Sequence, residues 1–244
     1  YEASAFGEPS SEVYCAATKR DQAKLVWDET EKMILACEEL KGKFRTAYGT
    51  ITHLLSDSVI KTQSKEDRRT GDGTNPQCAI LDEYHAHQTA EMYDINESGM
   101  VARRQPLMAI ITTAGFELDN PCYNVEEQYI IQILAPDSPI ENDNYFVMVC
   151  ELDRDDDIKD EKNWPKANPI VCSYPEGLSD LREKASVALD VPEKMRTFLT
   201  KNMNVWVDQK ENGYMLLNRW AACGVKVFPD VTGLEAVVGI DLSS

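Results

Sequence analysis

An apolar run that ends in two adjacent carboxylates constrains this chain more than any other feature of its sequence. Residues 78–81 read as a short buried strand, and Asp82 and Glu83 follow directly where that strand leaves the core. In α/β proteins that hydrolyse nucleotides, this pattern places one acid to hold Mg²⁺ and the next to polarise a water molecule. The alternative interpretation is an exposed acidic turn after a strand.

Strand patterns and helix patterns alternate over the first 135 residues. Apolar runs predict strands at 12–18, 78–82 and 107–112, with two or three short strands between 45 and 63, and amphipathic spacing predicts helices at 19–40, 87–104 and 122–134. Nearly continuous apolar strands that alternate with helices indicate a mostly parallel sheet covered on both faces. We therefore predict an α/β fold in three layers.

A second polar cluster follows the apolar run at 107–112. Thr112, Thr113, Ala114 and Gly115 stand where this strand ends, and the carboxyl ends of parallel strands are where ligands bind in such sheets. A hydroxyl pair at a strand end can sense a terminal phosphate through a hydrogen bond. Taken alone, the same residues read as a turn with capping hydroxyls. We expect them to share one site with Asp82 and Glu83.

Arg68 and Arg69 lie in a charged, glycine-containing stretch at 64–76, which predicts an exposed loop. An arginine that a neighbouring subunit supplies can neutralise transition-state charge in phosphoryl transfer. A solvated run of charges explains the same residues equally well.

The second half of the chain has a different character. Residues 145–150 predict a strand, residues 178–189 and 192–202 predict helices, and acidic or proline-containing stretches separate them. Near the end, Gly239 and Ile240 precede Asp241, and an aspartate that emerges from a core strand suits a two-metal nuclease. One aspartate does not make such a site, and a surface turn is the alternative.

The charge and cysteine content narrow the possible classes. Twenty-five Lys and Arg against 42 Asp and Glu give a net charge of −17. Such a chain is a poor general binder of nucleic acid, because phosphate affinity comes mainly from Lys and Arg. Seven scattered cysteines fit reduced thiols in a cytoplasmic compartment, and the three histidines do not join them at zinc-site spacing. No apolar run approaches the ~20 residues of a membrane span.

The sequence contains no G-x-x-x-x-G-K-[ST] phosphate loop. Without the lysine and backbone amides of that loop, we expect very low ATP affinity. We expect the loop to lie just before Tyr1, because the strand and helix that begin at Glu12 normally follow it. The chain therefore reads as part of a longer protein.

Several of these segments together resemble the large terminase subunit of tailed bacteriophages. Residues 13–24 are similar to the segment after that family's phosphate loop, 73–85 to its Walker B region, and 111–115 to its coupling motif. Residues 164–169 and 196–206 resemble its linker, and 239–243 resemble the opening strand of its RNase H-like nuclease.

The resemblance implies a fold, a domain plan and roles. It implies an incomplete P-loop NTPase fold of the ASCE type, a three-layer α/β fold. The implied domain plan is an ATPase core at 1–135, a small α+β linker subdomain at 136–233 and a truncated nuclease strand at 234–244. Asp82 would bind Mg²⁺, Glu83 would be the catalytic carboxylate, Thr112 to Gly115 would couple hydrolysis to movement, and Asp241 would be the first nuclease metal ligand.

The same resemblance implies partners and a location. The cofactors would be ATP and Mg²⁺. The partners would be double-stranded DNA, the small terminase subunit and the portal protein. The full-length protein would form a homo-oligomeric ring in the cytoplasm of a bacterial host and would not bind a membrane. The 244 residues alone would be inactive. Two alternatives stay open: an inactive prophage remnant that only binds partners, and a superfamily 2 helicase-like ATPase, since Asp82-Glu83-Tyr84-His85 also fits that group.

Overall fold

The computed structural model describes residues 1–5, 8–65 and 73–208. Tyr1–Asp208 form one compact unit. Three of the candidate site residues, Arg68, Arg69 and Asp241, lie outside the described residues.

A six-stranded sheet forms the first half of the chain. Its strands stand in the spatial order β2-β3-β4-β1-β5-β6. The strands are β1 (Glu12–Ala17), β2 (Phe44–Ala47), β3 (Thr50–His53), β4 (Val59–Ser64), β5 (Pro76–Asp82) and β6 (Leu107–Ile111). β1 pairs in parallel with β4 and with β5, and β5 pairs in parallel with β6, whereas β2 and β3 pair antiparallel. The prediction of a mostly parallel sheet is confirmed.

Strands β2 and β3 pair antiparallel because a tight turn joins them. Tyr48 and Gly49 connect β2 to β3, and both have positive φ, 51° and 71°. A two-residue hairpin turn with positive φ at both positions matches the right-handed twist of its strands. The predicted short strands in this region are therefore present, with the turn at the residues that can adopt it.

Alternate residues of the central strands face two separate layers. Val13 and Cys15 of β1 pack with Trp27 of helix α1 (Arg20–Ala36) on one face. Ala16 of β1 packs on the other face, with buried residues that include Met92 of helix α2 (Glu91–Gly99). The side chains of a strand alternate between faces, so one strand supplies both layers. The sheet is thus covered on both faces, as predicted.

The predicted helices form with shorter bounds. The pattern at 19–40 gives α1, which ends at Ala36, and a 3₁₀ turn at Glu38–Leu40. The pattern at 87–104 gives α2 and a 3₁₀ turn at Met100–Ala102. The pattern at 122–134 gives a π-helical turn over Cys122–Glu127 followed by helix α3 (Gln128–Leu134). π-Helical turns are rare and occur frequently at functional sites. No helix within the described ranges is long and apolar enough to cross a membrane.

The described part after residue 135 is built on helices. Helix α4 (Trp164–Ala167) packs with α5 (Pro175–Asp190) and α6 (Pro192–Asn202) around a separate apolar cluster. Proline occupies the first turn of each of these three helices, where a missing backbone N–H costs no hydrogen bond. The members of the cluster are Leu152, Trp164, Leu181, Ala185, Ala188, Phe198 and Met203.

The predicted strand at 145–150 is wrong. The described structure has no strand there, and Phe146 and Met148 are 89% and 76% exposed. The carbonyl of Cys150 accepts a hydrogen bond from the Asn204 side chain, and the next backbone contact, Leu152 N to Met203 O, also joins the residues after α6. The segment therefore runs beside the end of α6 instead of entering a sheet, and its apolar spacing alone did not reveal this.

Candidate active site

The two carboxylates stand at the carboxyl end of β5. Asp82 is the last residue of that strand and pairs with Ile111, the last residue of β6. Glu83 and Thr112, which follow them, therefore leave the sheet next to each other. Glu83 adopts a left-handed backbone conformation, with φ 50° and ψ 47°. Non-glycine residues rarely adopt this conformation, which costs about 1–3 kcal/mol and is concentrated at functional sites. The Glu83 backbone N–H donates to Asp82 Oδ1 at 3.0 Å, which holds the turn.

The Glu83 carboxylate retains unused binding capacity. Its Oε2 is buried and forms no hydrogen bond among the described residues, although His85 Nδ1 lies 3.1 Å away. Buried carboxylate oxygens normally find a partner, so an unsatisfied one at a strand end suits a water molecule or another ligand. The geometry agrees with the role that the sequence assigned to Glu83, which remains a prediction.

Thr112 connects the ends of β5 and β6. Its Oγ1 accepts from the His85 backbone N–H at 2.9 Å and contacts His85 Nδ1 at 3.1 Å. The same hydroxyl donates to the Thr113 carbonyl at 3.1 Å. The structure therefore brings Asp82, Glu83 and Thr112 into one site, as the parallel strands predicted.

Gly115 allows a close approach behind this site. A Cβ atom at this position would lie 3.0 Å from His85 Cδ2 and 3.2 Å from Trp206 Cζ3. Thr113 points elsewhere, since its Oγ1 donates to the Ala114 carbonyl at 3.2 Å. Of the predicted cofactor-binding residues, Thr112 faces the carboxylate turn, and Gly115 supports the His85 ring.

His85 is the central side chain that sequence reasoning missed. Only 14% of its side chain is exposed, and Asn120 Nδ2 donates to its carbonyl at 3.0 Å. Burial lowers the pKa of His85, and the neighbouring Lys201 charge lowers it further, against the opposing effect of Glu83. Both effects favour the neutral form of the imidazole. The only sequence signal was its place in Asp82-Glu83-Tyr84-His85.

A segment after α6 docks onto the residues that follow β6. Asn204 Oδ1 accepts from the Ala114 backbone N–H at 2.6 Å, and Val207 N donates to the Gly115 carbonyl at 3.3 Å. Trp206 packs against the Tyr123 ring of the π-helical turn, with centroids 5.0 Å apart. These contacts join residues about 90 positions apart, which no local pattern could indicate.

A magnesium ion fits the donor set at the strand end. Among the described residues no group of three or more His, Cys, Asp or Glu could hold a metal alone. Mg²⁺ is usually bound by one or two carboxylates together with water and substrate phosphates. Asp82 can supply such a carboxylate, because it is half-buried and uses only Oδ1 in a hydrogen bond within the described part. Glu83, whose Oε2 is buried and without a hydrogen bond there, stands next to it and is free to bind a water molecule.

A separate cleft of about 430 Å³ opens between the starts of α1 and α2. It lies beyond the ends of β1 and β4, on the side of β5 away from β6. His87 lines it and is only 4% exposed, and its Nε2 has no hydrogen-bond partner within residues 1–5, 8–65 and 73–208. Of the predicted site residues that the structure describes, none lines this cleft.

Two family models match the chain. The model of the terminase large subunit ATPase domain matches residues 2–131, and that of the endonuclease domain matches residues 139–244. The chain belongs to the terminase large subunit family. The predicted linker, 136–233, lies almost entirely within the stretch that matches the endonuclease model, 139–244. A domain boundary inside that stretch stays a prediction.

Relatives with curated descriptions agree with the family assignment. Protein YmfN of Escherichia coli strain K12 is 35% identical over 184 residues, which are 74% of this chain and 39% of YmfN. The terminase large subunit of Lactococcus phage p2 is 22% identical over 204 residues, or 82% of this chain and 36% of that protein. The chain thus spans less than two fifths of the length of these relatives.

Solved terminase structures share the fold. The large terminase of bacteriophage HK97 superposes with a TM-score of 0.68 at 21% identity, over 82% of this chain and 41% of that one. The ATPase domain of the Thermus phage P74-26 large terminase gives a TM-score of 0.52 at 13% identity, over 82% of this chain and 79% of that one. The predicted α/β fold is confirmed, and it is shared with the terminase ATPase domain of this phage.

Enlarging Gly115 tests the packing behind the site. We expect Gly115→Ala to reduce the free energy of unfolding by about 1–3 kcal/mol, because overpacking forces neighbours to move, and here the neighbours are His85 and Trp206. Urea unfolding followed by circular dichroism measures the change. Adding Trp206→Leu should recover part of the loss. An unchanged stability in Gly115→Ala would show that the ring contacts are looser than described.

The buried histidines predict a loss of stability in acid. Burial lowers the pKa values of both His85 and His87, so each binds a proton more readily in the unfolded chain. The contribution of these two histidines to the free energy of unfolding is therefore complete above the ordinary histidine pKa of about 6.5, and it is lost as the pH falls below that value. The free energy of unfolding should decrease from pH 7 towards pH 5. The decrease should be smaller in His87→Gln, and an equal decrease in both proteins would contradict the prediction.

Proposed function

We propose that this chain supplies the carboxylate half of the ATP site in a terminase that drives double-stranded DNA into a procapsid. The observation that carries the proposal is the joined end of β5 and β6. Asp82 and Glu83 stand there beside Thr112, and Glu83 holds a strained backbone and a buried unsatisfied oxygen. The match to the terminase ATPase model over residues 2–131 gives this arrangement its context.

Each residue of the strand ends has a distinct role in this proposal. Asp82 holds Mg²⁺, which when bound neutralises negative charge on the nucleotide phosphates. Glu83 orients the attacking water and accepts its proton, since a positioned carboxylate within hydrogen-bond reach can act as a general base. Thr112 couples the two strand ends, because its hydroxyl binds the turn that carries Glu83. The phosphate grip would come from the expected loop outside this sequence.

The remaining predicted residues extend the proposal beyond the described part. Arg68 or Arg69 would reach the nucleotide of a neighbouring subunit in a ring, and Asp241 would be the first metal ligand of the nuclease. The small terminase subunit and the portal protein would be the other partners. With a net charge of −17, the chain would need a local basic face or another part of the terminase to contact DNA.

ATP turnover of the terminase that contains this chain tests the proposal. The longer protein, expressed with its upstream genomic sequence, should hydrolyse ATP with Mg²⁺, and DNA should stimulate the rate. The 244-residue chain alone should not. A longer protein that carries a phosphate loop and remains inactive would favour the inactive prophage remnant and overturn the motor proposal.

Subunit mixing tests the arginines. Arg68→Ala or Arg69→Ala protein is mixed with Glu83→Gln protein, and ATP turnover is compared with that of each variant alone. If one arginine acts across a subunit boundary, mixed rings contain sites with both groups intact, and activity should rise above that of either variant. No rise for both arginine variants would exclude a trans role. Lys194→Ala, on the exposed side of α6, serves as the control.

A further inference from the structure

The imidazole of His85 lies between the carboxylate turn and helix α6. Its Nδ1 faces Thr112 Oγ1 at 3.1 Å and Glu83 Oε2 at 3.1 Å. Its Nε2 faces Lys201 Nζ at 3.5 Å. One ring thus connects a residue of α6 with both the predicted catalytic carboxylate and the strand-end threonine.

The partners of Thr112 determine which ring nitrogen of His85 carries the proton. A hydroxyl has one donor hydrogen and two acceptor positions. The Thr112 hydroxyl donates to the Thr113 carbonyl and accepts from the His85 backbone N–H. The one hydroxyl hydrogen of Thr112 is thereby used, and Cys122 Sγ is a further, weak donor to Oγ1 at 4.0 Å. The contact of Thr112 with His85 Nδ1 therefore requires a hydrogen on Nδ1, and Glu83 Oε2, which only accepts, requires the same hydrogen.

Lys201 requires the same tautomer from the other side of the ring. An ammonium group only donates hydrogen bonds, and a neutral imidazole has one donor and one acceptor nitrogen. With Lys201 facing Nε2, that nitrogen is the acceptor and Nδ1 carries the hydrogen. The two independent sets of contacts agree.

The end of α6 is held close to the site by several further bonds. Asn204, with a left-handed φ of 54°, accepts from Ala114 N and donates to the Cys150 carbonyl. Val205 N donates to the Leu199 carbonyl at 2.9 Å, which closes the helix end. Lys201 therefore approaches His85 from a firmly anchored turn.

We propose that Lys201 is a positioning residue that holds His85 in the Nδ1–H tautomer, with this hydrogen bonded to Thr112 and facing Glu83. The position of α6 is thereby transmitted to the carboxylate turn. Displacement of α6 removes the donor at Nε2, frees the other tautomer, and loosens the bond that joins the ends of β5 and β6. The consequence for ATP turnover rests on the proposed function, whereas the tautomer itself does not.

Histidine tautomers can be read directly in this chain. The protein has three histidines, so long-range ¹H–¹⁵N correlation spectra of the ¹⁵N-labelled chain are simple, and His85→Gln assigns the signals. The spectra are recorded well above the ordinary histidine pKa of about 6.5. Wild-type His85 should show a protonated Nδ1 and an unprotonated Nε2. Lys201→Met should shift the population towards the Nε2–H form.

Matched variants separate this role from general effects of a lost charge. Lys201→Arg should retain the wild-type tautomer, since it keeps a donor at this position. Lys194→Met removes an exposed lysine from the same helix and should leave the His85 signals unchanged. A wild-type His85 in the Nε2–H form overturns the inference without any variant. An identical tautomer in Lys201→Met and wild type also overturns it.

Kinetics of the longer terminase distinguish the inference from the proposed function. Lys201→Met should lower kcat for ATP by about 10- to 100-fold, the range expected when a reacting group is misplaced, with KM changed little. Lys201→Arg should recover most of the activity. If the wild-type terminase does not hydrolyse ATP, the proposed function fails while the tautomer result stands. If kcat is unaffected in Lys201→Met although the tautomer shifts, the transmission to Glu83 is overturned.

Discussion

Replacing Glu83 with glutamine should reduce ATP turnover of the terminase by about 10²- to 10⁴-fold, the contribution typical of a general base. Glutamine keeps the size of the side chain but cannot accept a proton. The left-handed backbone of Glu83 and the contacts of Thr112 should be unaffected, so the loss should appear in kcat with little change in nucleotide affinity. Steady-state phosphate release measures the rate, and a fluorescent nucleotide measures binding.

Two controls define what the Glu83 result means. Glu117→Gln removes an exposed carboxylate close to the same strand ends and should leave turnover unchanged. Asp82→Asn should also lower turnover, but this loss should be reduced at high Mg²⁺ because Asp82 is proposed to hold the ion. Turnover of Glu83→Gln within twofold of wild type would show that another group activates the water.

Trp164→Ala should cost about 3–5 kcal/mol of unfolding free energy, the usual loss when a buried aromatic residue is truncated. Trp164 is 3% exposed, and its ring lies edge-on to Phe198 with centroids 6.4 Å apart. Its Nε1 donates to the Ile158 carbonyl at 2.8 Å, which also fixes the preceding loop. Because whole domains are stable by only about 5–15 kcal/mol, the cluster around α4, α5 and α6 should unfold much more easily.

Denaturant unfolding of graded variants checks this prediction. Trp164→Phe keeps an aromatic ring against Phe198 and loses the hydrogen bond, so its cost should lie between wild type and Trp164→Ala. Phe146→Ala truncates an aromatic residue that is 89% exposed and should change stability by less than about 0.5 kcal/mol. Equal costs for Phe146→Ala and Trp164→Ala would contradict the described core.

The apolar spacing at residues 145–150 shows where local patterns fail. The residue types are those of a strand, but a strand needs a neighbouring edge and an apolar layer, and these depend on the rest of the fold. The segment instead bonds to Asn204 and Met203, about 50 positions away. By contrast, β1 and β5 were predictable, because a short, nearly continuous apolar run is typical of a strand that is buried on both faces of a parallel sheet.

Local patterns in the sequence were enough to predict the α/β class and a mostly parallel sheet, and to place Asp82, Glu83 and Thr112 at one edge of it. These follow from apolar periodicity and from the rule that parallel strands end together. The surroundings of the two carboxylates, in contrast, depend on contacts between distant parts of the chain. His85, Gly115 and Trp206 come together because α6 and the residues after it fold back onto the end of β6. The physical reason is that hydrogen bonds and packing between distant residues leave no period in the sequence, whereas burial of a strand does.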